Sequence, residues 1–208
     1  MDDFEIAPLF STPFYSSKID IDDSTKDVVR NLTYKRLGIG NGYRSENTHL
    51  LDDILLKSLN DKIIEHINKF VIEGLNVKNT VDFKITASWA TKHDQNDWCQ
   101  THSHNNSLIS GIVYIDTTPN SGKVIFTNSN TNLFHPSLDV EFEETNLFNA
   151  KSIEFIPEVG TVLMFPSFLR HQVTPNLSFE NRYCIAFNLF PRGKLGTLDT
   201  EGLSNLDL

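Results

Sequence analysis

The spacing of apolar residues changes period once along the chain, near residue 80. Before that point the intervals are helical. "HLLDDILLKSLNDKIIEHINKFVIEG" (49–74) places Leu51, Leu55, Leu59, Ile63 and Ile67 four residues apart. This stripe predicts one long amphipathic helix, with Glu65 and Lys69 paired at i,i+4 and Gly74 at its end. Its apolar face is assigned to core packing. "DDSTKDVVRNLTYKRLG" (22–38) opens with acidic and hydroxyl residues and closes on Gly38, which predicts a second helix. "PLFSTPFYSSKI" (8–19) combines two prolines with alternating apolar residues and reads as an edge strand, and "GNGYRS" (40–45) reads as a turn.

Beyond residue 80 the period is two. "VDFKITASWA" (81–90), "SLISGIVYID" (107–116), "GKVIFTN" (122–128), "SIEFIP" (152–157), "GTVLMFPS" (160–167) and "RYCIAFNLF" (182–190) are strand-like, and "TTPNSG" (117–122) is a hairpin turn. Residues 128–151 form a long polar and aromatic connection, of a length that usually serves function or mobility. Helices followed by many short strands predict a mainly β fold. The expected core is a closed double sheet of jelly-roll type, with the N-terminal helices packed outside. The chain 1–208 reads as one domain, with a helical part over about 20–75, a β core over about 80–190 and a polar tail over 191–208.

Charge and composition narrow the function. The 208 residues carry a net charge of −9 with no basic stripe, so duplex nucleic acid is not an expected partner. The start lacks a positive segment followed by an apolar run, and no stretch has the length of a membrane span. Two cysteines, Cys99 and Cys184, are too few for a disulfide scaffold. The expectation is a cytoplasmic protein with free thiols and no membrane partner. A protein side chain, a small metabolite and a nucleobase all stay open as substrate, and a homo-oligomer is compatible with it.

The chemistry centres on His102-Ser103-His104. Residues i and i+2 of a strand point to one face, so both imidazoles would project together, as one metal ion requires. H-x-H alone also arises by chance on polar loops. His171, just after a strand, offers a third ligand from a distant part of the sheet. Eleven residues on, Arg182 shares a strand face with Cys184, Ala186 and Asn188, while Tyr183, Ile185, Phe187 and Leu189 share the other. The second face is bulky core. The first is small and polar, like a pocket wall, and its arginine is placed either to fork onto a carboxylate or to end a strand in solvent. Tyr114 has the parity of Ser110 and Ile112 on the strand after H-x-H, and is either a ligand contact or a core tyrosine. Ser110, Cys184 and Asn188 are secondary site candidates. His93, Asp94 and Asp97 are read as solvated loop residues, and Trp98 as packing. His135, Phe134, Phe142 and Phe148 are lid or pinning candidates in the long connection.

Together these segments resemble the iron(II)/2-oxoglutarate-dependent oxygenases, and more narrowly the 2OG-Fe(II) oxygenase family of marine bacteria and phages. "PLFSTPFY" is similar to the family's start, and "SWATKHDQNDWCQTHSHNNSLISGIVYI" to its first metal motif and following strand. "PEVGTVLMFPSFLRHQVTPN" and "NRYCIAFNLF" are similar to its second metal motif and arginine strand. The resemblance implies a double-stranded β-helix, Fe(II) held by His102 and His171, and 2-oxoglutarate gripped at its distal carboxylate by Arg182 with help from Tyr114. The implied reaction hydroxylates an unknown substrate with release of succinate and carbon dioxide, in the host cytoplasm if the chain is phage-encoded. The wider superfamily has H-x-D in its first motif, and here His104 stands at the aspartate position, which makes a three-histidine set. Two alternatives stay open at this stage: a three-histidine cupin dioxygenase that does not use 2-oxoglutarate, and a non-catalytic jelly-roll module.

Overall fold

A computed structural model of the chain describes residues 5–8, 10–128, 140–196 and 206–207. Two antiparallel sheets face each other. The larger runs in the order β1 (Tyr15–Lys18), β9 (Thr161–Pro166), β6 (Ile109–Asp116), β11 (Arg182–Arg192), β4 (Asp82–His93), β3 (Tyr43–Ser45) and β2 (Tyr34–Arg36). The smaller runs β5 (Cys99–His102), β10 (His171–Val173), β7 (Val124–Thr127) and β8 (Ser152–Phe155). Two short strands within the polar tail, β12 (Lys194–Leu195) and β13 (Leu206–Asp207), pair with each other. The edge strand expected over 8–19 is observed over Tyr15–Lys18 as β1, at the end of the larger sheet beside β9.

Period-two alternation explains the layers. Ile109, Val113, Ile115, Val162, Met164, Ile185, Phe187 and Leu189 point outward and meet the helices in one core. Ile112, Tyr114, Leu163, Phe165 and Cys184 point inward and meet Val124 and Phe126 of the smaller sheet, with Phe14, Phe155 and Leu169 filling around them. A jelly-roll core with helices outside is therefore the observed architecture, and the inner layer is where the site lies. Among the described residues no helix is long and apolar enough to cross a membrane.

The structure corrects four expectations. The first helix, α1 (Asp23–Arg30), is N-capped by Asp22, whose carboxylate accepts from the Thr25 amide at 2.7 Å, but it stops at Arg30 instead of Gly38. Tyr34–Arg36 become β2 because pairing with β3 satisfies their backbone in a sheet. The second helix is not continuous from 49. Two 3₁₀ turns, Leu50–Asp52 and Ile54–Leu56, precede α2 (Lys57–Asn68), which ends in a wider π turn over Lys69–Gly74. Three residues per turn instead of 3.6 advances the phase, so Leu56 is buried while Leu55 is 66% exposed. Leu51, Leu59, Ile63 and Ile67 are buried as expected, and Lys69 pairs with Glu65. Residues 117–122 turn the chain from β6 in one sheet to β7 in the other, so they are a crossover and not a hairpin. Finally, β5 and β10, both too short to show a period, are strands.

Leu59→Ala should lower stability by about 2–5 kcal/mol, the cost of a cavity at a full core position. Leu55→Ala should change it by less than about 0.5 kcal/mol, as for an exposed site. Urea unfolding of both variants measures the contrast, and equal losses would mean that the stripe is buried along its whole length.

Candidate metal centre and anion pocket

β5 and β10 lie antiparallel with His102 directly opposite His171. His104 lies two residues past the end of β5, in a loop, so strand parity does not orient it as the sequence pattern implies. It is held instead by its own contacts: its amide donates to Ser167 O at 2.9 Å and its Nδ1 donates to Asn188 Oδ1 at 2.7 Å. The His102 and His104 rings are nearly parallel, 17° apart with centroids 5.3 Å apart, and the His171 ring lies 4.3 and 5.2 Å from them. One ligand nitrogen from each ring falls within 4.8 Å of the others.

The hydrogen bonds fix which nitrogen that is. His102 Nδ1 donates to Gln100 O at 2.9 Å and His171 Nδ1 donates to Leu169 O at 3.0 Å. All three rings thus spend the Nδ1 proton on an oxygen and keep the Nε2 lone pair free, the tautomer that binds a metal. Behind His104 runs a chain of hydroxyls. Ser110 Oγ donates to Asn188 Oδ1 at 2.9 Å and meets Ser167 Oγ at 2.8 Å, and Ser167 in turn meets Ser107 Oγ at 2.8 Å. The Phe126 and Phe165 rings stand 5.5 and 4.9 Å from His171 and keep its back wall apolar. Burial, reinforced by the charges of His102 and His104, pushes the His171 pKa down to about 3. Burial also lowers that of His104, against the opposing pull of the Asn188 hydrogen bond. Three imidazoles that turn their Nδ1 to an oxygen and their Nε2 to one another suit a divalent first-row ion such as Fe(II).

The same inner layer holds a buried cation. Arg182 is 2% exposed. Its Nη1 donates to Ser121 O at 3.0 Å and its Nη2 to His93 Nδ1 at 2.8 Å, while its Nε has no partner among the described residues. None of the described acidic side chains forms an ion pair with it. A buried guanidinium with neutral acceptors only is costly unless an anion joins it. Tyr114 and Cys184 face each other across β6 and β11 on this layer. Burial raises the pKa of the Tyr114 hydroxyl, so it is a neutral donor. Cys184 Sγ meets Thr91 Oγ1 at 2.9 Å, and Cys99 Sγ lies 3.7 Å from His102 Nδ1. Burial raises the pKa of both thiols.

All the primary candidates, His102, His104, His171, Arg182 and Tyr114, and the secondary ones, Ser110, Cys184 and Asn188, therefore belong to one inner surface. The loop residues are a correction. His93 is the last residue of β4, buried at 5% exposure, and Asp97 is buried at 3% and held by Arg36, whose Nη2 lies 2.5 Å from Asp97 Oδ1. The sequence signal for His93 is its place at the end of an alternating strand, where it pairs with Arg182. Trp98 is 41% exposed and lies against Gly40. Phe142 and Phe148 are partly exposed, and Phe134 and His135 lie outside the described residues.

Residues 87–188, from β4 through H-x-H, His171 and Arg182 to Asn188, match the family model described as "Putative 2OG-Fe(II) oxygenase". The chain carries a 2OG-Fe(II) oxygenase domain. Comparison with curated protein sequences returns no match. Solved structures share the oxygenase's fold. HygX from Streptomyces hygroscopicus, with nickel, 2-oxoglutarate and hygromycin B bound, is 16% identical with a TM-score of 0.60, over 94% of this chain and 92% of its own. The carbocyclase SnoK from nogalamycin biosynthesis is 12% identical with a TM-score of 0.61, over 94% and 88%. A Pseudomonas putida prolyl-4-hydroxylase is 12% identical with a TM-score of 0.52, over 88% and 95%. The oxygenase is thus an oxidoreductase of the iron- and 2-oxoglutarate-dependent class on a jelly-roll fold.

The buried histidines make acid sensitivity a test of the site in the metal-free oxygenase. His93 and His171, both held near pKa 3, stay neutral in the fold while their unfolded counterparts protonate below about 6.5. The unfolded chain then binds more protons, so stability is full above about pH 6.5 and falls as the pH drops toward about 3. Urea midpoints should decline already between about pH 6.5 and 5, before carboxylates titrate. A flat profile there would mean that the rings are solvated.

Proposed function

We propose that His102, His104 and His171 hold Fe(II) through Nε2, and that Arg182 takes the distal carboxylate of 2-oxoglutarate. The observation that carries this reading is the buried Arg182, a cation with no acidic partner among the described residues, on the inner layer that also holds the three histidines. The nickel and 2-oxoglutarate in HygX, a protein of the same fold, support it.

The residues divide the work. The three imidazoles present lone pairs already aimed by their Nδ1 bonds, which lowers the cost of organising the site. Asn188 and the serine chain hold His104, which no strand orients. The guanidinium of Arg182 meets a planar carboxylate with fork geometry, and Tyr114 adds a neutral hydroxyl beside it. The apolar wall of Phe126 and Phe165 shields the back of the His171 ring from water. Fe(II), with 2-oxoglutarate and oxygen, supplies oxidative decarboxylation to succinate and carbon dioxide coupled to oxidation of a C–H bond. The whole chain acts as one domain in this reading, inside the cytoplasm, on a small-molecule substrate. The family match weighs against a three-histidine cupin dioxygenase without 2-oxoglutarate, and against a non-catalytic module.

Anaerobic titration with Fe(II) and 2-oxoglutarate should give a visible charge-transfer band, and oxygen should then yield succinate. The absence of both would refute the reading. His171→Ala should abolish iron retention. Arg182→Ala should keep the iron and weaken 2-oxoglutarate about 10- to 100-fold, the size of a lost charge-assisted contact. His104→Ala should lower iron affinity and His104→Asp should recover part of it. Equal iron affinity in wild type and both His104 variants would make His104 a bystander.

A further inference from the structure

Arg182 is oriented by two groups that carry no charge, a backbone carbonyl and an imidazole. A guanidinium has no lone pair to give, so the 2.8 Å contact requires His93 Nδ1 to accept. His93 is therefore the neutral Nε2–H tautomer. The pair is set by the sheet, because His93 is the cross-strand neighbour of Arg182 in β4 and β11. Backbone packs closely against both groups. A Cβ on Gly42, where φ is +60°, would stand 2.7 Å from His93 Cδ2, and one on Gly122, where φ is +90°, would stand 3.1 Å from Arg182 Nη1. The His93 carbonyl is fixed by Asn176 Nδ2 at 3.0 Å, and Asn176 is itself fully buried. Burial first, then the charges of Arg182 and Arg36, hold the His93 pKa at about 3, so the acceptor persists through the neutral range.

We infer that His93 is a positioning residue for the cosubstrate's distal carboxylate: it aims the Arg182 fork through a neutral acceptor and so leaves the full positive charge available, selecting 2-oxo acids that carry a second carboxylate. This inference rests on the assignment of Arg182 to that carboxylate. An aspartate at 93 would hold the guanidinium as firmly but would neutralise it, and an apolar residue would leave the charge with an unaimed fork. Selectivity between dicarboxylic and monocarboxylic 2-oxo acids is the property that depends on the choice.

The test compares 2-oxoglutarate with 2-oxobutyrate, which lacks the distal carboxylate, on anaerobic Fe(II)-loaded protein, with iron affinity measured in parallel. His93→Ala should weaken 2-oxoglutarate about 10-fold, on the scale of one contact to a charged group, and leave 2-oxobutyrate and iron unchanged. His93→Asp should weaken 2-oxoglutarate further than His93→Ala, and His93→Gln, which keeps a neutral acceptor, should restore most of the affinity. Equal loss for both acids, or no loss in any His93 variant while Arg182→Ala still loses 2-oxoglutarate, would overturn the inference and spare the assignment. Unchanged 2-oxoglutarate binding in Arg182→Ala would overturn the assignment, and the inference with it. Should the variants not fold, the wild type decides. Nitrogen-15 NMR of the zinc-loaded protein should show His93 as the Nε2–H tautomer with Nδ1 shifting on addition of 2-oxoglutarate but not of 2-oxobutyrate. A Nδ1–H or doubly protonated ring would overturn the inference.

Discussion

β11 is hydrogen-bonded along both edges, to β4 over its whole length and to β6 from Tyr183 to Leu189. A strand paired on both sides cannot rotate, and its side chains must alternate between the two faces. One face, with Ile185, Phe187 and Leu189, is committed to the helices and anchors the register through apolar burial. The other then has no freedom in where it presents Arg182, Cys184, Ala186 and Asn188. A slip of one residue would put the arginine among leucines and the phenylalanine in the pocket. The site therefore inherits its precision from the outer core.

The smaller sheet contributes differently. Its strands are short, and only one cross-strand pair, His102 with His171, carries ligand candidates. The third, His104, is reached from across the interior by Asn188 on β11. The larger sheet thus positions a residue on the loop that follows β5 of the smaller one. This contact ties the two layers together where a metal would bridge them.

Much of this was legible in the sequence because it depends on periodicity. The two faces of β11 and the inward parity of Tyr114 and Ser110 follow from alternation alone. Where local geometry departs from a regular period, the sequence misleads. Leu55 leaves the apolar stripe because two 3₁₀ turns shift the helical phase. His104 projects beside His102 although it lies beyond the strand, by virtue of a hydrogen bond to a residue 84 positions away. His93 and Asp97 looked like a solvated polar loop because their partners, Arg182 and Arg36, are distant in the chain. Polar residues are assigned to solvent by default, and only the folded structure reveals a buried partner for them.

The two cysteines bear on how such an interior withstands its own chemistry. Nucleophilic attack on peroxide requires the thiolate, and a thiol reacts far more slowly. Cys99 and Cys184 line the inner layer near His102 and Arg182, and burial holds both in the protonated form despite the nearby arginine charge. The most oxidisable atoms of the pocket are thereby kept in their least reactive state. An enzyme that handles oxygen can so carry sulfur beside its reaction centre without offering it as the first target of a stray oxidant.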